Sequence, residues 1–78
     1  MPVVLRESGY TFRFYSQDFG EPPHVHVSKG EGIAKVWVGP ARVEYQHGFS
    51  KPELNQIRKI IDANERTLLE HWREFIAL

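Results

Sequence analysis

Apolar and polar residues alternate in the first half of the chain, which is the pattern of strands with one buried face. Between Tyr10 and Tyr15, the aromatic residues Tyr10, Phe12 and Phe14 take every second position, while Arg13 and Tyr15 fall on the other side. Side chains two residues apart on a strand share a face. The segment therefore predicts a half-buried strand with an aromatic inner face.

A hairpin is predicted next, because two alternating runs, residues 24–28 and 33–38, flank a short glycine-containing segment. A two-residue loop at Gly30 and Glu31 and a four-residue loop give the same register. The predicted cross-strand pairs are Val25–Val36, Val27–Ala34, His26–Lys35 and His24–Trp37. Further strands are predicted around residues 3–5, at a sheet edge, and over residues 41–45.

The pattern changes to a helical one after residue 49. Ser50, Pro52 and Glu53 form a capping-box pattern with proline in the first turn. Apolar residues then recur at three- and four-residue steps, which predicts a helix with one buried stripe. Asn64 interrupts this stripe. Its members are Leu54, Ile57, Ile60, Ile61, Leu68, Trp72, Phe75 and Ile76.

The predicted fold is α+β and forms one domain over residues 1–78. A small antiparallel sheet of four to five strands occupies residues 1–49 and packs against one long C-terminal helix in residues 50–78. The composition, 41% hydrophobic and 26% charged, is typical of a folded globular chain and not of a disordered one.

Length and charge narrow the function classes. The 78 residues include no cysteine, so no disulfide supports this small core, and we expect a partner chain or a homo-oligomer. Apolar runs of a few residues predict no membrane segment and a cytoplasmic protein. The formal net charge of zero argues against a protein that coats nucleic acid non-specifically.

The predicted register puts chemically versatile side chains on the sheet face away from the helix. If the valines face the helix, the other face displays His24, His26, Ser28, Lys35 and Trp37, joined by Arg13 and Tyr15. Two histidines at i and i+2 can act as acid and base. In that interpretation Arg13 and Lys35 contact phosphate, while Tyr15 or Trp37 stacks a base, as metal-independent RNA cleavage requires.

Two other interpretations use the same face. It is either an ordinary polar sheet surface, with Trp37 and Ser28 available to dock a partner protein, or a metal site. A metal site needs a third ligand beside His24 and His26, and His47, in the predicted turn before the helix, is the candidate. Only two well-placed histidines are evident, and structural zinc prefers four ligands, so we expect no bound metal. We also expect no other cofactor.

The segments from Tyr15 to Asp18 and from Pro22 to Val27 resemble a bacterial domain-of-unknown-function family, number 4160. Ala34 in its strand and the Leu68, Leu69 and Trp72 pattern agree with that resemblance. The resemblance implies a short protein often encoded beside another small protein, in an arrangement similar to toxin–antitoxin pairs. It supports His24 and His26 best as site residues and implies no established activity.

We therefore expect a component of a two-gene, toxin–antitoxin-like module that binds a partner protein from a neighbouring gene and also RNA. If the chain is an enzyme, it is a metal-independent ribonuclease using the histidine pair. A noncatalytic interaction module and a histidine-based metal-binding domain are the alternatives.

Overall fold

The computed structural model describes residues 3–15 and 20–77, so Ser16, Gln17 and Asp18 of the family-like motif lie outside the described residues. Five strands form one antiparallel sheet in sequential order, and two helices follow. The α+β prediction is confirmed. The elements are β1 (Val3–Glu7), β2 (Tyr10–Arg13), β3 (His24–Lys29), β4 (Gly32–Trp37), β5 (Arg42–His47), α1 (Lys51–Ala63) and α2 (Glu65–Ile76).

The central hairpin has the predicted register. Strands β3 and β4 are joined by a two-residue loop at Gly30 and Glu31, and Lys29 pairs with Gly32 beside it. The four predicted cross-strand pairs are all present. Alternation and the position of the glycines were sufficient to predict this register, because a one-residue slip would move every valine to the wrong face of the sheet.

The outer strands are longer or shifted relative to their predictions. Strand β1 forms one edge of the sheet, as predicted, but continues to Glu7. Strand β5 forms the other edge and continues to His47, which pairs with Ile33. The prediction that His47 lies in a turn before the helix is therefore wrong. An irregularity in the β4–β5 register, between Lys35 and Val36, leaves Glu44 without a paired residue opposite it.

The single long C-terminal helix is in fact two helices that meet at Asn64. Ser50 caps α1 as predicted, with the reciprocal capping box to Glu53. Asn64 leaves helical geometry, at φ −114° and ψ 17°, and its side-chain amide donates to the Ile60 carbonyl at 2.8 Å. A side chain that hydrogen-bonds the backbone in this way competes with helix continuation. In the described part of the chain, neither helix is long and apolar enough to cross a membrane.

The helices cover one face of the sheet, which we call the covered face. The covered-face residues Phe12, Val25 and Val36 and the helix residues Ile57, Ile61 and Leu68 are buried. Leu54 and Phe75 are partly buried, whereas Ile76 is 45% exposed, contrary to its predicted place in the stripe. The other buried apolar residues in the described ranges are Tyr10, Phe14, Val27, Ala34, Val38, Phe49, Ile60 and Trp72.

Tyr10 links the covered face to α1 and to the segment that precedes it. The Tyr10 hydroxyl donates to the side-chain oxygen of Gln56 at 2.9 Å, and burial raises the pKa of that hydroxyl. Phe49, which the sequence pattern did not single out, packs edge-on against Tyr10 with ring centroids 5.9 Å apart. Its ring fills the space beside buried Gly32, where a Cβ atom would overlap it.

Candidate functional site

The opposite side of the sheet, which we call the open face, presents side chains in rows set by strand register. Directly paired residues on neighbouring strands share a face, so each row crosses the sheet. The middle row is Arg13, His26, Lys35 and Tyr45. One flanking row is Thr11, Ser28, Ile33 and His47, and the other is His24, Trp37 and Arg42.

A pocket of about 310 Å³ opens between the middle row and the Ser28 row. We call it the His26 pocket. Its lining residues are Arg13, Tyr15, His26, Val27, Ser28, Ile33, Ala34 and Tyr45. Four residues that the sequence predicted for the site, Arg13, Tyr15, His26 and Ser28, are thus brought together around one cavity. Tyr45, half exposed on β5, belongs to the same pocket.

His26 is half-buried and lines this pocket. Its ring lies edge-on against Tyr15, with ring centroids 4.3 Å apart, and Arg13 and Lys35 are its neighbours on the two adjoining strands. An imidazole titrates near neutral pH and can donate or accept a hydrogen bond. The pocket therefore offers an imidazole ring, an aromatic wall and a guanidinium at one place.

His24 does not share that exposure, although it lies on the same face. The side chain is fully buried, and its ring contacts Trp37 at 5.3 Å, Trp72 at 5.2 Å and His26 at 5.3 Å between centroids. Its Nδ1 lies 2.9 Å from the Pro22 carbonyl oxygen, which can only accept, so Nδ1 donates. The prediction that both histidines are displayed is wrong for His24, because Trp72 of α2 reaches it.

Lys35 and Trp37 are held by carboxylates that sequence reasoning did not assign to the site. The Lys35 ammonium pairs with Glu21 at 2.6 Å and lies 4.9 Å from the centre of the Trp37 ring. The Trp37 indole N–H donates to Glu44 at 2.9 Å. Glu44 reaches this position through the irregular β4–β5 register, which alternation alone does not predict. The catalytic role assigned to Lys35 stays a prediction.

The three candidate metal ligands do not come together. His47 pairs with Ile33 in the Ser28 row, His26 is in the middle row, and buried His24 is in the third. Among residues 3–15 and 20–77, no group of three histidine, cysteine or carboxylate side chains could hold a metal ion. The donor set expected of a histidine-based metal site is therefore not assembled in this part of the chain.

Comparison with known proteins assigns most of the chain to a family. One family model, described as Domain of unknown function (DUF4160), matches residues 9–73. The chain belongs to the DUF4160 family. The matched range includes every residue that lines the His26 pocket, so the pocket belongs to the DUF4160 domain itself. No curated protein and no solved structure matches the chain.

Proposed function

We propose that this DUF4160 chain binds single-stranded RNA on its open face, with the His26 pocket as the main contact site. The observation that supports this most is the pocket's composition, in which the His26 ring packs against Tyr15 and Arg13 lies on the next strand. Unpaired RNA bases stack on aromatic and imidazole rings, and cationic side chains contact the phosphates. The pocket provides both elements.

The charge distribution supports a local attraction. The whole chain is neutral, but Arg13 and Arg42 lie on the open face, and neither is in an ion pair among the described residues. Arg6 joins them through its pairing with Thr11. Partners attracted by a few local cations bind with a modest salt dependence, unlike proteins that coat nucleic acid. A short, locally bound RNA segment fits this pattern.

Binding is favoured over catalysis by the two histidines. An acid–base pair acts on RNA only if both rings reach the substrate, and the His24 ring is enclosed by Trp37, Trp72 and His26. We therefore propose RNA binding as the primary activity. Cleavage at His26 is an outcome that the same experiment detects.

The binding experiment compares labelled single-stranded RNA of twelve nucleotides with duplex RNA, by fluorescence anisotropy at several salt concentrations. Arg13→Gln is expected to weaken binding by roughly tenfold and to reduce the salt slope by about one, because it removes one phosphate contact. His26→Ala should weaken binding without changing that slope. The matched control is Arg66→Gln, because the Arg66 side chain is 94% exposed on α2.

Two results would contradict the proposal. One is equal affinity of the wild-type chain for duplex and single-stranded RNA, or no binding to either. The other is an Arg66→Gln effect as large as that of Arg13→Gln, which would make the binding a general charge effect. RNA shortening on a gel in the presence of a chelator, and its loss in His26→Ala, would add a catalytic activity at the same pocket.

A second candidate function, docking of a partner protein, rests on a different observation. Ile33 is 51% exposed and Tyr45 50% exposed on the open face, and Val3 on β1 is also exposed. Exposed apolar side chains on one surface are typical of protein contact sites. We propose the product of a neighbouring gene as the partner, in a two-gene, toxin–antitoxin-like module.

Co-expression with that product tests the second candidate. A stable complex that is lost in Ile33→Lys and Tyr45→Lys, but retained in Ile76→Lys, would support docking at the open face, since Ile76 is an exposed apolar residue of α2. Growth inhibition by one partner, relieved by the other, would support the toxin–antitoxin-like role. Self-association of the chain without any heteromeric complex would contradict this candidate.

A further inference from the structure

A second cavity lies at the far end of the open face, beyond Trp37. It has a volume of about 330 Å³, and in the described part of the chain it shares no lining residue with the His26 pocket. We call it the Trp37 cleft. Its walls include Trp37, Arg42 and the three prolines Pro22, Pro23 and Pro40. These walls favour a ligand that has both a flat ring and a negatively charged group, because the tryptophan and proline rings can pack on the ring and the guanidinium can pair with the charge.

The Trp37 ring is held in place before any ligand binds. Its indole N–H donates to Glu44 at 2.9 Å, the Lys35 ammonium lies 4.9 Å from its ring centre, and buried His24 contacts it at 5.3 Å between centroids. Contacts on three sides remove rotamer freedom in the free protein, which reduces the entropy lost on binding. Because the indole N–H is already bonded, what Trp37 offers a ligand is its ring surface.

Arg42 supplies the charge. It is paired directly with Trp37 across the β4–β5 register, and its side chain is exposed. Among the described residues that line the cleft, none is a carboxylate. Proline has no backbone N–H, so the proline walls provide little to distinguish one base edge from another. The cleft therefore has the chemistry to stack any nucleobase and to contact its phosphate.

The position of the cleft relative to the His26 pocket links the two. Lys35 is in the middle row with His26, and Trp37 follows it two residues later on the same strand. The His24 ring contacts both the His26 ring and the Trp37 ring at 5.3 Å between centroids, so the His26 and Trp37 rings lie within about 11 Å of each other, a span that two neighbouring nucleotides with splayed bases can cover. Resting on the proposed RNA-binding function, we infer that the Trp37 cleft is a second nucleobase subsite, which takes the base adjacent to the one in the His26 pocket.

The test compares uridine and adenosine 5′-monophosphates with the corresponding dinucleotides and hexanucleotides, by calorimetric titration. The wild-type chain should bind dinucleotides roughly 5- to 100-fold more tightly than monophosphates, because one more base stacks. Trp37→Ala should lose that gain and keep the monophosphate affinity. Arg42→Gln, a change at an exposed side chain, should lose part of the gain in dinucleotide affinity. Arg66→Gln should keep all of that gain.

A second measurement reports the location directly. The chain has two tryptophans, so two indole N–H signals are expected by NMR, and Trp37→Phe identifies the one from Trp37. Dinucleotides should shift the Trp37 signal more than monophosphates do. This readout does not depend on Trp37→Ala folding, since it uses the wild-type chain.

The outcomes separate the two proposals. If the wild-type chain binds no oligonucleotide, the proposed RNA-binding function fails, and this inference fails with it. If it binds dinucleotides through His26 while Trp37→Ala and Arg42→Gln keep the full length-dependent gain, RNA binding stands and the second subsite is overturned. If Trp37→Ala affects only a complex with a protein partner, the cleft is a protein-docking site and the inference is likewise overturned.

Discussion

The two faces of this sheet come from the same alternating strands but differ in how uniformly they are buried. On the covered face, Phe12, Val25 and Val36 are all inaccessible to solvent. On the open face, exposure ranges from none at His24 to half at Tyr45. Alternation therefore assigns a side chain to a face, but the exposure of that side chain depends on which other elements reach it.

The histidine pair shows the difference within one strand. His24 and His26 are two residues apart and share a face, yet α2 encloses His24 through Trp72 and leaves His26 in a pocket. The two histidines therefore differ in exposure, although they share a face. His26 has the access that ligand binding requires, whereas His24 has the enclosed contacts typical of a structural residue.

The largest expected effect tests the covered face itself. Leu68 is 1% exposed, and Leu68→Ala should lower the free energy of unfolding by about 2–5 kcal/mol, because a buried cavity is left behind. Urea denaturation provides the measurement. The control is Ile76→Ala, which should change the unfolding free energy by about 0.5 kcal/mol or less. A loss at Leu68 no larger than the loss at Ile76 would show that α2 does not cover the sheet.

The next effect separates the two histidines. His24→Ala should destabilise the fold by roughly 2–4 kcal/mol, since a fully buried ring is removed from its packing partners. His26→Ala should cost about 1 kcal/mol or less and should weaken ligand binding instead. Thermal and urea unfolding of both variants checks this. Equal stability of the two variants would mean that α2 does not enclose His24.

A smaller effect tests how closely the covered face fits. Gly32→Ala places a methyl group where the Phe49 ring lies, and should cost about 1–3 kcal/mol through overpacking. In a Phe49→Leu background the same change should cost less, because the rigid ring is gone. The double-mutant cycle measures this coupling. Additive effects would show that Gly32 and Phe49 do not constrain each other.

The smallest effect concerns the start of α1. The Glu53 carboxylate accepts from the Ser50 backbone N–H at 2.8 Å, and this bond, followed by the Ser50 side-chain bond, lowers the pKa of Glu53. The stabilisation of the fold by the ionised Glu53 carboxylate is therefore complete above the pKa of the unfolded chain, near 4.5. It is lost as the pH falls through the lower pKa that Glu53 has in the folded protein. Glu53→Gln should flatten the pH dependence of stability below about pH 4.5. Parallel curves for the two proteins would contradict this.

Much of the sheet could be predicted from the sequence, because residues close together in the chain set the faces and the register of its strands. The hairpin register followed from alternating valines and a glycine loop, and the α1 start followed from Ser50, Pro52 and Glu53. The sequence shows that Asn64 interrupts the apolar stripe, but it does not show that the helix ends there. Whether one asparagine ends a helix depends on where its amide finds a hydrogen bond, here the Ile60 carbonyl.

Less of the site could be predicted, because its members come from separate strands. The sequence placed Arg13, Tyr15, His26 and Ser28 on one face, and the structure gathers them around one pocket. Tyr45 was missed as a site residue, although it fell within a predicted strand. Glu44 was missed because only the irregular β4–β5 register turns its carboxylate toward Trp37.

By itself, the sequence determined the α+β class, the hairpin register, the face on which each residue of that hairpin lies and the membership of the DUF4160 family. The class, the register and the faces follow from periodicity and turn chemistry, which act over a few residues. The family follows from the match of its model to residues 9–73. Only the tertiary structure decided that His24 is enclosed, that Lys35 pairs with Glu21 and that His26 opens into a pocket. Exposure and pairing depend on contacts between residues distant in the chain, and periodicity carries no information about those contacts.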